Sequence, residues 1–199
     1  MKFASRIPVT IAFVTVTIVV FVCSRIDDGS ILRAQEMWRS LTPTAFGTPA
    51  FWLLLLPSAI FHSGPWHLVT NMFAFMPLAA VFETREGSLH ACVFVILNAA
   101  ACSAAQLLFA GHGDIGSSGI VFGVVGWVLI AGRLSWKHQL LLTMFVTLLL
   151  LWFLYCFIAN HMFGSGYGTA SHAAGLLLGI SWGSVTTRTR ERQPSRAAG

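Results

Sequence analysis

The sequence contains little charge. Only 10% of its 199 residues are Asp, Glu, Lys or Arg, whereas 56% are hydrophobic and the mean hydropathy is +0.75. A soluble globular domain does not have enough polar surface to cover so much apolar material. This composition excludes an ordinary soluble domain and predicts a polytopic membrane protein of the all-α class.

The sequence also has few residues arranged for disulfides or metals. Its four cysteines, Cys23, Cys92, Cys102 and Cys156, all lie inside apolar runs without a C-x-x-C spacing, and its seven histidines form no H-E-x-x-H pair. We therefore expect no disulfide framework, metal or other cofactor. The net charge of +5 would suggest nucleic acid in a soluble protein. In a membrane protein basic residues instead mark the cytoplasmic side, so no nucleic-acid partner is expected.

Six apolar runs approach or exceed the roughly 20 residues that a membrane-spanning helix needs. They cover residues 7–23, 66–82, 89–110, 117–132, 140–159 and 170–185. We predict that these six spans form one domain over residues 1–185. Residues 186–199 form a basic tail, which we expect to be disordered.

Residues 50–61 are apolar as well, but Pro57 interrupts them and the run of about 12 residues is too short to span a bilayer. We predict that this segment lies in the membrane interface. With six spans, the basic residues put both termini in the cytoplasm and leave only Arg25, Arg33 and Arg39 outside. A seventh span at 50–61 would place the basic tail outside, against the same rule.

The predicted topology brings four polar residues to one depth. The second, fourth and sixth spans all run from the outside inward, so residues near their beginnings lie just below the outer surface. These residues are His67 and Asn71 on the second span, Ser118 on the fourth and His172 on the sixth. Such groups are costly in hydrocarbon unless they pair or face a wet cavity, so they indicate a shared polar pocket.

The chemistry that such a pocket supports is acyl transfer. Ser118 lies between glycines where a polar loop becomes an apolar helix, so a substrate backbone could approach it closely. His172 would take the serine proton and return it to the leaving amine. His67, Asn71 and the Ser118 backbone N–H would stabilise the oxyanion, and Gly116 is assigned to the same stabilising group.

Each of these residues also has a simpler interpretation. Glycine beside serine is typical of packed membrane helices, and we assign Gly119, Gly126, Gly175 and Gly179 to helix packing. A histidine such as His172 at the outer end of a span often snorkels or bridges helices, and His67 with Asn71 could form an interhelical hydrogen bond. His62 is interpreted as an interfacial residue. Asp114 belongs to the loop above, so the device is a Ser–His pair without an orienting carboxylate.

A small transporter would need ionisable groups along a path through the bilayer. The polar groups of this chain lie near one side only. The presence of four polar residues at one depth therefore favours a catalytic site over helix packing or transport.

Taken together, the motifs resemble those of the rhomboid intramembrane serine proteases of the compact six-helix bacterial type. The matching patterns are Glu36-x-Trp38-Arg39, His62-x-x-x-x-His67-x-x-x-Asn71, Glu83-x-x-x-Gly87-Ser88, Gly116-x-Ser118-Gly119 with Gly126, and His172-x-x-Gly175-x-x-x-Gly179. Each pattern is weak alone, but jointly they are highly specific and extend from the first loop to the sixth span.

The resemblance implies that Ser118 and His172 form the dyad, with His67 and Asn71 stabilising the oxyanion. It implies a mobile cap at residues 160–169 and transmembrane protein substrates cleaved where small or helix-breaking residues weaken the helix. It also implies a multi-pass protein of the bacterial inner membrane whose site opens to the extracytoplasmic side. A non-catalytic rhomboid-like protein that binds membrane clients is the alternative.

The sequence departs from the family pattern in two places. Phe122 stands where a tyrosine commonly stacks on the catalytic histidine, so the stacking face is kept and the hydroxyl is lost. Residues 42–61 form an apparent insertion between Arg39 and His62, which lengthens the first loop.

Overall fold

A computed structural model describes residues 6–27, 29–131, 143–144, 146–151, 154–155, 158 and 168–191. Within these ranges every regular element is helical. The principal helices are α1 (Pro8–Cys23), α2 (Ser30–Ser40), α3 (Pro49–Leu54), α4 (Pro65–Glu86), α5 (Ser88–Ala110), α6 (Ser118–Ala131) and α7 (Thr169–Glu191).

Two of the described helices, α4 and α5, are long and apolar enough to cross a membrane by length and composition. Helices α1 and α6 are apolar but shorter. The predicted fifth span, 140–159, lies outside the described residues except for short helical pieces. The predicted cap, 160–169, lies outside them except for Gly168 and Thr169. A count of six spans therefore stays a prediction.

Two helices continue beyond their predicted ends. Helix α4 runs to Glu86 instead of residue 82, and only Gly87, with φ +88°, ends it. Helix α7 runs to Glu191, so the prediction of a disordered tail is wrong for residues 186–191. That stretch contains neither proline nor glycine, and its Thr, Arg and Glu residues have adequate helix propensity.

The buried Glu83 explains why α4 continues. Its carboxylate accepts hydrogen bonds from the Val9 and Thr10 backbone N–H groups at 2.9 and 2.8 Å and from the Thr10 hydroxyl at 2.8 Å. These N–H groups belong to the first turn of α1, where a helix has no acceptors of its own. Glu83 thus caps α1 from a neighbouring helix and fixes where the two helices cross.

Helix α6 packs against α7 at backbone distance, because glycines line the contact. A Cβ at Gly175 would overlap the Gly119 carbonyl, and one at Gly179 would overlap the Gly123 carbonyl. A Cβ at Gly126 would overlap the Leu176 carbonyl. The assignment of Gly119, Gly126, Gly175 and Gly179 to helix packing agrees with this geometry, which also includes Gly123.

The insertion at 42–61 forms short helices and not a span. Helix α3 lies between two 3-10 helices, Pro43–Ala45 and Pro57–Ala59. Phe51 is buried beside Trp38, with ring centroids 6.1 Å apart, whereas Trp52 and Leu53 are 64% and 72% exposed. The segment therefore has one face in the protein and one apolar face outside it; its position in the membrane interface stays a prediction.

Candidate active site

The centre of the site is a hydrogen bond between two helices. Ser118 is the first residue of α6, and His172 lies in the first turn of α7. The His172 Nε2 is 2.7 Å from the Ser118 Oγ. When the ring proton is on Nδ1, the hydroxyl donates to Nε2, which is the arrangement that general-base activation of a serine requires.

Close helix packing at the next residue, Gly119, makes this distance attainable. A Cβ at Gly119 would lie 2.6 Å from the Cys102 Sγ and 2.7 Å from the Ser171 Oγ. Real Cβ atoms do not make contacts this short, so a side chain at Gly119 would have to displace Cys102 on α5 and Ser171 on α7. The glycine after the serine therefore sets the distance between Ser118 and His172.

Phe122, one turn after Ser118, contacts the imidazole of His172. The ring centroids are 4.7 Å apart and the planes are inclined by 30°. Phe122 is itself buried. The contact that the sequence predicted for this phenylalanine is thus present, and it limits rotation of the histidine ring.

His67 and Asn71 both lie beside Gly116. The Nδ1 of His67 accepts hydrogen bonds from the Ser63 backbone N–H at 3.4 Å and contacts the Ser63 Oγ at 3.1 Å. Because Nδ1 is an acceptor, the neutral ring carries its proton on Nε2. A methyl group at Gly116 would lie 2.8 Å from His67 Nε2 and 3.6 Å from Asn71 Nδ2. Two N–H donors therefore meet at the backbone that precedes the serine.

Gly116 contributes to the site through its backbone conformation and its lack of a side chain. Its N–H donates to the Ser58 carbonyl oxygen at 3.0 Å, so this donor is already paired and is not presented to the site. Its φ of +121° is a conformation that L side chains rarely adopt. Asn71 keeps its place on α4 by donating through Nδ2 to the His67 carbonyl at 2.8 Å.

Sequence reasoning missed a second histidine–serine contact beneath His67. His62 is 1% exposed and Ser117 is fully buried, and the His62 Nε2 is 3.5 Å from the Ser117 Oγ. The His62 ring also contacts the His67 ring, with centroids 4.9 Å apart. The ring of His62 therefore points into the protein beside Ser117 and His67; its depth relative to the membrane interface stays a prediction.

The pKa of His62 is lowered from 6.5 to about 4, and burial is the main cause. The neighbouring His67 lowers it further, whereas the hydrogen bond to the Ile60 carbonyl raises it. His62 is thus neutral at physiological pH. A neutral ring here places no positive charge next to His67.

Trp38 holds the loop that leads to the serine. Its indole Nε1 donates to the Asp114 carbonyl at 2.7 Å, and a Cβ at Gly113 would overlap the Trp38 carbonyl. The tryptophan of the Glu36-x-Trp38-Arg39 pattern thereby fixes the backbone immediately before the site. Among the residues that the structure describes, no three His, Cys, Asp or Glu side chains come close enough to share a metal ion.

These elements define a helical protein with a serine–histidine pair where two close-packed helices begin. Residues 35–189 match the Rhomboid domain, and the chain belongs to the rhomboid family. It is accordingly an integral membrane protein.

Several curated relatives carry the name Rhomboid protease GlpG. The protein of Haemophilus influenzae is 28% identical over 157 residues, covering 79% of this chain and 73% of the relative. The protein of Serratia proteamaculans is 26% identical over 186 residues, covering 92% and 64%. That of Yersinia pseudotuberculosis is 27% identical over 137 residues, covering 67% and 48%. The matched part is therefore between about half and three-quarters of each relative's length.

Proposed function

We propose that the chain is an intramembrane serine endopeptidase that cleaves transmembrane segments with a Ser118–His172 dyad. The single observation that carries the proposal is the 2.7 Å contact between Ser118 Oγ and His172 Nε2. The names of the relatives, each a rhomboid protease, agree with the same activity.

The reaction follows from this pair. Ser118 Oγ attacks the carbonyl carbon of the scissile peptide bond while its proton moves to His172 Nε2. The tetrahedral intermediate collapses, the C–N bond breaks and the amine leaves with the proton from Nε2. The acyl group stays on Ser118 as an ester. Water then attacks the ester with His172 as the base, which releases the carboxylic acid and restores the hydroxyl.

His67 and Asn71 would stabilise the charge that develops on the carbonyl oxygen. The His67 Nε2–H faces Gly116, and the Asn71 amide has a second hydrogen beyond the one given to the His67 carbonyl. Each such donor contributes on the order of 3 kcal/mol to transition-state stabilisation in a comparable site. Gly116 provides the space that these donors need.

The substrate class follows from the position of the pair among apolar helices. A substrate helix hides its carbonyls in its own hydrogen bonds, so a segment must unwind before Ser118 can attack it. Small or helix-breaking residues lower that barrier. We therefore propose membrane proteins with weak transmembrane helices as substrates.

The topology proposed for this enzyme has six spans within residues 1–185 and both termini in the cytoplasm. The site then opens to the extracytoplasmic side of a bacterial inner membrane. The support is the distribution of basic residues, which lie mainly in the predicted cytoplasmic loops and tail. Residues 186–199 belong to that cytoplasmic side.

The test is a pair of assays on purified protein in liposomes: cleavage of a reporter transmembrane substrate and labelling by a serine-directed fluorophosphonate. Ser118→Ala and His172→Ala should abolish both while the protein stays folded. Ser181→Ala and His90→Ala, which change exposed residues away from the pair, are the matched controls. Full activity in either dyad variant contradicts the assignment. Absence of labelling in folded wild-type protein would favour a non-catalytic protein that binds membrane clients.

A further inference from the structure

The proposed mechanism does not use the carboxyl group of Asp114, a half-buried residue. It lies in the loop between α5 and α6, four residues before Ser118. Its Oδ1 accepts a hydrogen bond from the Ile115 N–H at 2.8 Å. Its Oδ2 lies against Gly168, where a Cβ would overlap the carboxylate oxygen. The loop that carries the nucleophile thus touches the beginning of α7 through this side chain.

Gly168 is the residue from which α7 starts. Its carbonyl accepts the His172 backbone N–H at 2.9 Å, which is the hydrogen bond that closes the first helical turn. The Ser171 N–H donates a hydrogen bond to the Gln106 Oε1 at 3.2 Å. Other elements of the fold therefore supply contacts that hold the first turn of α7 in place.

We propose that Asp114 is a positioning residue whose carboxylate holds the first turn of α7, and with it His172, in register with Ser118. The inference rests on the proposed dyad for its catalytic consequence. The structural part of the inference, that Asp114 keeps the first turn of α7 in place, does not depend on any reaction.

The loop itself is a firm support for this contact. Trp38 fixes the Asp114 carbonyl, and Gly113 is pressed against the Trp38 backbone. Asp114 cannot drift with α7, so a change in its side chain alters the distance between the loop and the helix. Because Gly168 and His172 lie in the same first turn, a shift of Gly168 would also move His172 relative to Ser118.

Charge determines how strongly the carboxylate holds α7. The first turn of a helix carries partial positive charge, which attracts the ionised form. Arg39 on α2 and His112 in the same loop also favour ionisation, and the Cys102 thiol on α5 lies within electrostatic reach. Burial opposes these effects most strongly and raises the pKa of Asp114 from 3.8 to about 6. The group is therefore charged at neutral pH and loses its charge in mildly acidic solution.

Asp114→Asn tests the proposal, because asparagine keeps the shape of the uncharged acid. At pH 7.5 it should lower kcat and the rate of fluorophosphonate labelling on the order of 10- to 100-fold, with KM unchanged. An acid limb centred near pH 6 in the wild type should be absent from the variant. Amide hydrogen exchange in residues 168–175 should be faster in the variant. Asp27→Asn is the matched control, since Asp27 accepts the Ile31 N–H at the start of α2, another helix.

Several results would overturn the inference. One is a wild-type kcat together with an unchanged acid limb in Asp114→Asn. Another is a lower melting temperature with unchanged labelling and exchange rates, which would reduce Asp114 to a purely structural residue. If the variant does not fold, Asp114→Glu serves for the same tests at pH 7.5, because its longer side chain would press against Gly168; unchanged labelling and exchange in that variant would overturn the inference.

The same measurements distinguish failure of the protease proposal from failure of the proposal for Asp114. Wild-type protein that neither cleaves nor labels contradicts the protease proposal. In that case amide hydrogen exchange alone tests the role of Asp114. Faster exchange at 168–175 in Asp114→Asn than in wild type supports the contact with α7, and unchanged exchange overturns it.

Discussion

The imidazole of His67 lies directly against the Cα of Gly116, so that a methyl group there would be 2.8 Å from His67 Nε2. The glycine and the histidine come from different elements, the loop before α6 and the first turn of α4. Their contact places an N–H donor beside the backbone that leads into Ser118. The space for the proposed oxyanion thus depends on the absence of one side chain.

Gly116→Ala should therefore displace His67 and lower kcat by about 100-fold, the effect of losing one preorganised donor. Cleavage and fluorophosphonate labelling measure the loss. Gly47→Ala is the matched control, because Gly47 also has a positive φ, +92°, but nothing lies within 4 Å of its added Cβ. Equal losses in the two variants would mean that backbone strain, and not the His67 contact, is responsible.

Phe122 should act on the base through its ring and not through a hydroxyl. Phe122→Tyr should keep cleavage within a few-fold of the wild type, since it retains the face that stacks on His172. Phe122→Ala should lower kcat and also destabilise the fold by about 3–5 kcal/mol, because the residue is 3% exposed. Phe109→Ala, at a ring that is 83% exposed, is the control. A fully active, folded Phe122→Ala would contradict the role of the stacked ring.

The packing of α6 on α7 should tolerate no added atom at Gly179. A Cβ there would overlap the Gly123 carbonyl, whereas at Gly183 it would meet the Ile130 Cβ at 3.0 Å, with the Trp127 carbonyl oxygen at 3.2 Å. Gly179→Ala should therefore lower the free energy of unfolding by about 1–3 kcal/mol or more, and Gly183→Ala by less. Thermal or denaturant unfolding in detergent measures both. A smaller effect at Gly179 than at Gly183 would show that the helices separate at no cost.

The sequence was sufficient to predict that Ser118 and His172 lie close together, because each stands at the start of an apolar helix, near glycines that only close packing explains. The burial of His62 could not be predicted in this way. It depends on how the 3-10 helix Pro57–Ala59 packs: the Ser58 carbonyl accepts from Gly116, and the Ser58 hydroxyl contacts Ser103 Oγ on α5. Neither the hydrophobic periodicity nor any sequence motif predicts this packing, because the contacts join residues that are distant in sequence.

The ends of the helices illustrate the same limit. Hydropathy marks where lipid-compatible residues stop, but α4 continues past them because Glu83 finds donors on α1. Hydropathy alone therefore ends this span at residue 82, whereas the helix continues to Glu86. Only the position of the neighbouring helix distinguishes a polar loop from a polar helical turn.

His62 should make the stability of the protein fall in acid. Its pKa in the folded state is about 4, below the value of 6.5 expected when the chain is unfolded, so the unfolded state binds the proton more tightly. The corresponding stability is fully present above pH 6.5 and is lost as the pH falls from 6.5 to about 4. The full difference is about 3 kcal/mol.

Asp114 contributes to the pH dependence of stability in the opposite direction to His62. Its raised pKa makes stability fall as the pH rises from 3.8 to about 6. The cleanest comparison is therefore His62→Gln in an Asp114→Asn background against Asp114→Asn alone. Thermal unfolding from pH 4 to pH 8 should show a loss of stability in acid that is smaller in the double variant, since glutamine does not titrate. His90→Gln in the same background controls for the loss of an exposed histidine. Parallel curves for the double variant and its background would mean that His62 takes up its proton in the folded state as readily as in the unfolded one.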